Sequence, residues 1–470
     1  MDTLLAIFLV PLFCSIICLC NFLFRHRNSI CYMLAYECYK PSDDRKLGAD
    51  SCVKIILRNK NLHLEEYRHM LKTITSSGLG EETYCPSNFL TGREECSTLD
   101  DAVSEMDDIL FSTLDKLFEK TGVSPFEIDV LVVNVSLFSP MPSLSSRIVN
   151  KYKMRNDIKS FNLSGMGCSG SLVAIDLVQR VFEKYQNKYA IVVSTESLGP
   201  NWYCGRDKAM MLANCLYRSG GCSMLFTNRS GLKNKAILRL KSLARTHRGS
   251  SDEAYLCSIQ EDDENGYRGF RLTKNLPRVA AKALTMNLKV LLRRVLPVSE
   301  LLRYVIVVAA SNRGRSSSKV ASSLAHGLNL KAGFDHFCIP PISSDVVDAF
   351  GKGMGLNDCD LEPTRMTLYR FGNTSVGGLW YVLGYMEAKK RLKKGNRILM
   401  ISFGAGYECN SCMWEVMRDL DDANVWEDCI ERYPSKTLTN SFMEKYSWIN
   451  DPYLDFVRID MEALRAEFSL

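Results

Sequence analysis

The 470-residue chain carries a net charge of +6, with 46% hydrophobic and 24% charged residues. That is the make-up of a globular protein with room for two core-forming units, and nothing in it is low-complexity or collagenous. The basic residues are scattered, which argues against a nucleic-acid binder. The 18 cysteines suggest a disulfide framework at first, but many lie in apolar runs where free Cys acts as a small hydrophobe, and so long a chain needs no such staples.

Leu4 to Phe24 is almost wholly apolar, broken only by Pro11, Ser15 and Asn21. As a helix it spans roughly 30 Å, the thickness of a bilayer core. Arg25, His26 and Arg27 follow at once, while only Asp2 precedes it. The charge bias predicts a membrane anchor over residues 1–27, with the bulk of the chain in the cytoplasm. The run lacks the basic start, short core and small-residue cleavage site of a signal peptide. Sequons at Asn134, Asn162, Asn228 and Asn373 bear on the same point. Two of them fall in motifs treated below as catalytic, where a glycan would block the site.

Residues 28–95 form a mixed lead-in segment without clear periodicity. Leu99 to Lys120 then places Leu99, Val103, Met106, Leu110, Leu114 and Leu117 on one helical face, ended by Gly122 and Pro125. Val130 to Val135 reads as a buried strand, and a helix follows through Ile148. Ser171 to Tyr185 reads as a helix and Tyr189 to Ser194 as another buried strand. The order recurs after residue 240: a helix over Val279–Val295, a strand over Tyr304–Ala309, and helices over Ser317–Leu328, Ser344–Met354 and Gly377–Arg391. A last strand covers Ile398–Phe403. This alternation predicts layered α/β structure in two similar halves, 96–240 and 241–430, with a site between them and a C-terminal extension over 431–470.

Gly165-Met166-Gly167-Cys168-Ser169-Gly170 follows a candidate strand and opens a helix. It formally matches the dinucleotide fingerprint, but a lone match is weak. The sharper reading is a strained turn presenting Cys168 at a helix N-terminus. The partial positive charge there lowers a thiol's pKa, and free N–H groups there can hold an oxyanion. A small residue packed under a turn is the bland alternative. Cys409 and Cys412 form a lone CxxC, too little to argue for zinc or redox chemistry.

Seven stretches, in order, carry a resemblance: NVSLFSPMPSLSSRIVNKYKMR (134–155), NLSGMGCSGSLVAIDL (162–177), NWYCGRDKAMMLANCLYR (201–218), ARTHRG (244–249), DHFCI (335–339), RMTLYRFGNTS (365–375) and FGAGYECNSCMW (403–414). Together they resemble the plant 3-ketoacyl-CoA synthases, the condensing enzymes of very-long-chain fatty acid elongation. The resemblance implies the layered αβαβα thiolase fold, an N-terminal transmembrane helix in the endoplasmic reticulum, a cytosolic catalytic domain, a homodimer and other elongase subunits as partners. It also implies two substrates. Cys168 takes an acyl group from a long-chain acyl-CoA. Malonyl-CoA then loses carbon dioxide and attacks the acyl carbon. Asn373 of FGNTS matches the family's enolate-stabilising Asn, and His247 and His336 match two further site histidines. No metal or redox cofactor is implied. Arg206 and Lys208 suit CoA phosphates by charge, although a solvated surface is the better reading of both.

One position departs from the family. The catalytic His expected after Cys338-Ile339 is Pro340, followed by Pro341, and a second family His before RFGNTS is Tyr369. Proline neither donates a hydrogen bond nor shuttles a proton. The alternative to a working condensing enzyme is therefore an impaired relative that binds acyl-CoA or serves as a partner subunit.

Overall fold

The computed structural model describes residues 30–303, 329–435, 441–446 and 460–467. The predicted anchor, the strand over 304–309 and the helix over 317–328 lie outside them. Among the described residues, no helix is long and apolar enough to cross a membrane.

Among the described residues there are eleven strands: β1 (Tyr32–Cys38), β2 (Val130–Asn134), β3 (Lys159–Leu163), β4 (Tyr189–Thr195), β5 (Gly221–Thr227), β6 (Leu238–His247), β7 (Ser258–Asp262), β8 (Arg268–Leu272), β9 (His336–Cys338), β10 (Arg397–Gly404) and β11 (Glu408–Val416). Nine form one sheet in the order β3-β2-β4-β5-β1-β6-β11-β10-β9, and β7 and β8 make a separate hairpin. The duplication expected from the sequence is visible in this order. In the first half, parallel β2 and β4 are followed by antiparallel β5 and then β1. In the second, parallel β9 and β10 are followed by antiparallel β11 and then β6. The opening strands of the two halves, β1 and β6, pair with each other through Tyr32–Arg239 and Met33–Leu238.

The lead-in segment is thus part of the core, since it supplies β1 near the middle of the sheet. It also supplies helices α1 (Ala49–Arg58) and α2 (Leu64–Ser76), whose buried faces form a cluster with Met210, Met211 and Cys215. Helix α3 (Leu99–Thr121) covers the predicted span, although Leu99, assigned to the apolar face by its spacing, is exposed in the first turn. Thr98 and Asp101 cap its start reciprocally, Gly122 ends it at φ 65°, and Met106, Ile109, Leu110, Leu114 and Leu117 are fully buried. Helix α4 (Leu144–Tyr152) joins β2 to β3.

Among the described residues, two helices run along the centre of the fold, one buried over its first turns and one throughout. Helix α5 (Gly170–Lys184) touches β2 and β4 of its own half and β11 of the other. After α6 (Lys208–Leu216), α7 (Leu276–Val295), α8 (Ser344–Met354) and α9 (Asp358–Phe371) comes α10 (Gly378–Ala388), buried on every side. The indole Nε1–H of Trp380 on α10 donates to Ser171 Oγ on α5 at 2.8 Å, tying the two central helices together. Helix α9 was hidden in the sequence by Pro363 inside it, which removes one backbone donor. The tail docks a short helix, Met461–Glu467, through Arg465, which donates to the carbonyls of Leu57 and Leu62 at 3.2 Å each.

Cys409 and Cys412 stand three apart on β11. Successive side chains of a strand alternate faces, so Cys409 packs in one hydrophobic cluster and Cys412 in another. The CxxC spacing therefore does not bring the thiols together.

Candidate active site

The loop after β3 turns sharply because Gly165 and Gly167 adopt φ 73° and 57°, backbone that L side chains rarely take. A short 3-10 turn, Gly167–Ser169, then feeds α5. The end of β10 presses on this turn. A Cβ on Gly404 would run into the Ser169 side chain and the Met166 carbonyl, so only glycine fits there. Cys168 is thereby held one residue before the N-cap of a buried helix.

The second half closes over the thiol. Ser375 Oγ lies 3.3 Å from Cys168 Sγ, and the Tyr217 hydroxyl lies close enough to the sulfur to lower its pKa. Ser375 sits at φ 51°, a sparsely populated conformation for a non-glycine residue. Its backbone N–H donates to Asn373 Oδ1 at 3.0 Å. Asn373 is buried, and it pairs with Tyr217 in an isolated parallel bridge. The structure therefore brings Asn373 to the cysteine's surroundings through both neighbours. With Oδ1 occupied by Ser375, the amide's Nδ2 is the end suited to donate.

The thiol itself departs from expectation. Burial pushes its pKa up, and the Glu196 carboxyl nearby adds to this. Ser375 and Tyr217 pull it down but do not win. The helix end does not yield a resting thiolate, because desolvation of the charged form outweighs it.

A cavity of about 610 Å³ opens beside the loop. Its wall includes Gly167, Glu196, Trp202, Tyr217, His247, Phe270, Ser375 and Glu408. Glu196 follows β4 directly. It accepts from the backbone N–H groups of Ser136 and Leu137 at 3.2 and 2.8 Å, and burial raises its pKa to about 7. His247, at the end of β6, stands opposite Glu408 in the β6–β11 register. Its Nε2 is 3.5 Å from Glu408 Oε1, and its Nδ1 accepts the Gly249 N–H at 2.8 Å. Accepting at Nδ1 puts the proton of a neutral imidazole on Nε2, toward Glu408.

His336 is placed elsewhere. It lies on β9, at the edge of the described sheet, with Nε2 3.1 Å from Asn396 Oδ1; like Cys168 and Asn373 it is not a lining residue of the cavity, but unlike them it makes no contact with one through Ser375. Beyond β9, Pro340 and Pro341 are buried. The Pro341 ring packs on Gly378 at the start of α10, 2.9 Å from where a Cβ would stand. Near the same point, the buried Thr374 Oγ1 has no partner among the described residues. Arg206 and Lys208 are paired at the surface, Arg206 with Glu66 at 3.4 Å and Lys208 with Glu65.

Four site residues were missed from sequence. Ser375 and Tyr217 lie inside stretches quoted for the resemblance, but nothing in their spacing marks them. Glu408 lies in another such stretch, on a strand whose mixed composition hid it. Glu196 carried a usable signal, as a carboxylate directly after a seven-residue, fully buried strand.

The chain matches the model of the family described as FAE1/Type III polyketide synthase-like protein over residues 23–313. Residues 327–416 match the 3-oxoacyl-(acyl-carrier-protein) synthase III C-terminal model. The chain is 59% identical to 3-ketoacyl-CoA synthase 19 of Arabidopsis thaliana over 94% of its own length and 96% of the relative's. It is 51% identical to 3-ketoacyl-CoA synthase 3 of the same plant, over 90% and 92%. Among solved structures it is similar to the type III polyketide synthase domain of Steely1 from Dictyostelium (TM-score 0.64, 12% identity, 83% of this chain and 99% of that one). It is also similar to PKS-I of the brown alga Ectocarpus siliculosus (TM-score 0.63, 14% identity, the same coverage). These last two show a shared mixed α/β, thiolase-like fold.

Proposed function

The chain belongs to the 3-ketoacyl-CoA synthase family, and from that premise we propose that Cys168 carries the acyl group in a two-step condensation that elongates fatty acids. The observation that supports this reading best is the meeting of Cys168 with Ser375 across the two halves, beside the cavity. The Cys168 sulfur attacks the carbonyl of a long-chain acyl-CoA, and the CoA thiolate leaves with the proton. Malonyl-CoA then loses carbon dioxide, and its carbanion attacks the acyl carbon and releases Cys168. The product is a 3-ketoacyl-CoA two carbons longer. The Asn373 amide donates to the thioester oxygen as negative charge grows there.

In this reading Leu4–Phe24 anchors the chain in the endoplasmic reticulum membrane with the catalytic bulk in the cytosol, and the chain works as a homodimer beside other elongase subunits. One observation favours a second reading, in which the chain binds acyl-CoA or serves as a partner subunit with the condensing step impaired. Pro340 fills the family's histidine position with a group that cannot donate. Elongation assays with radiolabelled malonyl-CoA on membranes, native chain against Cys168→Ala, test the first reading. Label in longer acyl chains from the native protein alone supports it, and equal labelling rejects it.

A further inference from the structure

One end of the main sheet is marked by a row of register partners, running from Tyr189 of β4 through Thr227 of β5, Tyr32 of β1 and Arg239 of β6 to Glu415 of β11. The site lies at the other end, where His247 closes β6 and Glu408 opens β11. β1 begins in the middle of the row. Ile30 is exposed and Cys31 buried, so the chain enters the fold from the surface at this end. Only residues 25–30 separate Phe24, the last residue of the apolar run, from Cys31. Fully extended, that stretch reaches at most about 25 Å. A globule of this length is about 50 Å across. If the run crosses a bilayer, the tether is too short to turn the site end toward it, and the end where β1 begins faces the headgroups.

The side chains there suit such a neighbour. Asn228 to Lys241 carries five basic residues and no acidic one. Lys233 and Lys235 are exposed on a 3-10 turn over Ser230–Lys235. Neither they nor the half-buried Arg239 has an ion-pair partner among the described residues. Arg229 lies over the Tyr189 ring at 4.0 Å and donates to the Asn187 carbonyl at 3.1 Å, contacts that hold the guanidinium without cancelling its charge. The acids nearby are already engaged. Glu415 pairs with Lys241 at 3.1 Å, and the buried Asp129 pairs with Lys188 at 2.9 Å and Arg155 at 3.0 Å. Net positive charge is left on the surface from which the tether departs. Each Lys or Arg near an anionic leaflet strengthens association by about fivefold, provided that it comes within about 8 Å.

We propose that this end of the sheet is a membrane-apposed face, on which Arg229, Lys233, Lys235 and Arg239 bind anionic phospholipid headgroups, with the strands leading away from the bilayer toward the site. The inference rests on the reading of Leu4–Phe24 as a membrane span.

The test uses the full chain in detergent and in nanodiscs, made either of phosphatidylcholine alone or of phosphatidylcholine mixed with phosphatidylserine. Exposed lysines are acetylated with a water-soluble succinimidyl ester and quantified by mass spectrometry. In the mixed discs Lys233 and Lys235 should react at least about fivefold more slowly than in detergent. Lys274, exposed just after β8 at the cavity rim, should be unchanged. The protection should weaken in phosphatidylcholine discs and at high salt. Arg229→Glu with Arg239→Glu keeps both lysines as probes and should return their reactivity toward the detergent value. Thermal unfolding checks that this variant is folded, and Arg239→Glu alone serves if it is not. Unprotected Lys233 and Lys235 in the mixed discs, protection of Lys274 instead, or equal protection in both kinds of disc overturns the inference. So does protection in detergent that grows with protein concentration, which would mean that a second copy covers the face. Alkaline carbonate extraction separates the two readings. If carbonate strips the chain from membranes, the span fails and the inference with it. If the chain resists carbonate while both lysines stay reactive, only the face fails.

Discussion

Ser375 Oγ and Cys168 Sγ, 207 positions apart in the chain, stand 3.3 Å from each other. The contact joins Cys168 of one half to the loop that carries Asn373 in the other. It is also the largest influence pulling the Cys168 pKa down against burial. Ser375→Ala should therefore raise that pKa further and slow acylation at pH 7.5 by about 3- to 10-fold, the worth of one hydrogen bond. Burst-phase release of CoA on mixing with palmitoyl-CoA measures it. Ser375→Gly should slow acylation alike yet melt higher than Ser375→Ala, because glycine relieves the strain at φ 51°.

Cys168 should behave as a thiol at neutral pH. Its pKa lies above the ordinary value, with burial the main cause and Glu196 a lesser one. Alkylation by iodoacetamide, followed by peptide mapping, should then keep accelerating by about tenfold per unit between pH 7 and pH 9. A plateau near pH 7 would show a thiolate stabilised by the helix end after all.

Pro340→His should restore a donor at the family's position. Removing one such donor costs about 100- to 1,000-fold in other enzymes, so a gain of about 100-fold in carbon dioxide release from malonyl-CoA is expected. No gain would mean that the Pro341-Ile342 turn, whose buried Pro341 packs on Gly378, also disables the site.

Two buried carboxyls set a pH dependence of stability. Burial raises both Glu196 and Glu387 to about 7 from the ordinary 4.5, and Glu387 accepts from the Tyr36 hydroxyl at 2.6 Å. The folded state holds these protons to higher pH than the unfolded state. Stability is therefore full below about pH 4.5 and falls as pH rises toward 7, by roughly 3 kcal/mol for each group. Urea unfolding at pH 5 and pH 8 should show the loss, and Glu387→Gln, away from the cavity, should remove about half of it.

The long amphipathic helix α3 and the fully buried parallel strands β2 and β4 were legible in the sequence, because one periodicity or one unbroken apolar run decides each. The antiparallel strands were not. GCSMLFT of β5 and ECNSCMWEV of β11 mix polar and apolar residues, yet the fold buries nearly all of them. β1 was lost in a segment without pattern, although tertiary pairing places it beside β5 and β6. At the candidate site, the structure sets Cys168 and Asn373, two of the residues the resemblance singles out, near one another through Ser375. His336 shows the limit of that resemblance, since its segment folds toward Asn396 and the sheet edge. The carboxylates Glu196 and Glu408 answer to no motif, and only the folded chain sets them in one wall.

The pairing of β1 with β6 has a mechanical consequence. It makes the two halves one continuous hydrogen-bonded surface, and the bond from Trp380 to Ser171 locks the helices between them. Cys168 and Asn373 therefore cannot be drawn apart by domain opening, as they are in enzymes that clamp their substrates between mobile lobes. Whatever movement admits a CoA thioester falls to the rim instead. There the β7–β8 hairpin, which lends Ser258, Ile259, Gln260 and Phe270 to the cavity wall, is hydrogen-bonded to no strand of the main sheet. Arg271 pairs with Asp207 at 2.7 Å and the Tyr203 hydroxyl donates to Asp263 at 2.6 Å, so that rim is held by side-chain bonds rather than by a strand ladder.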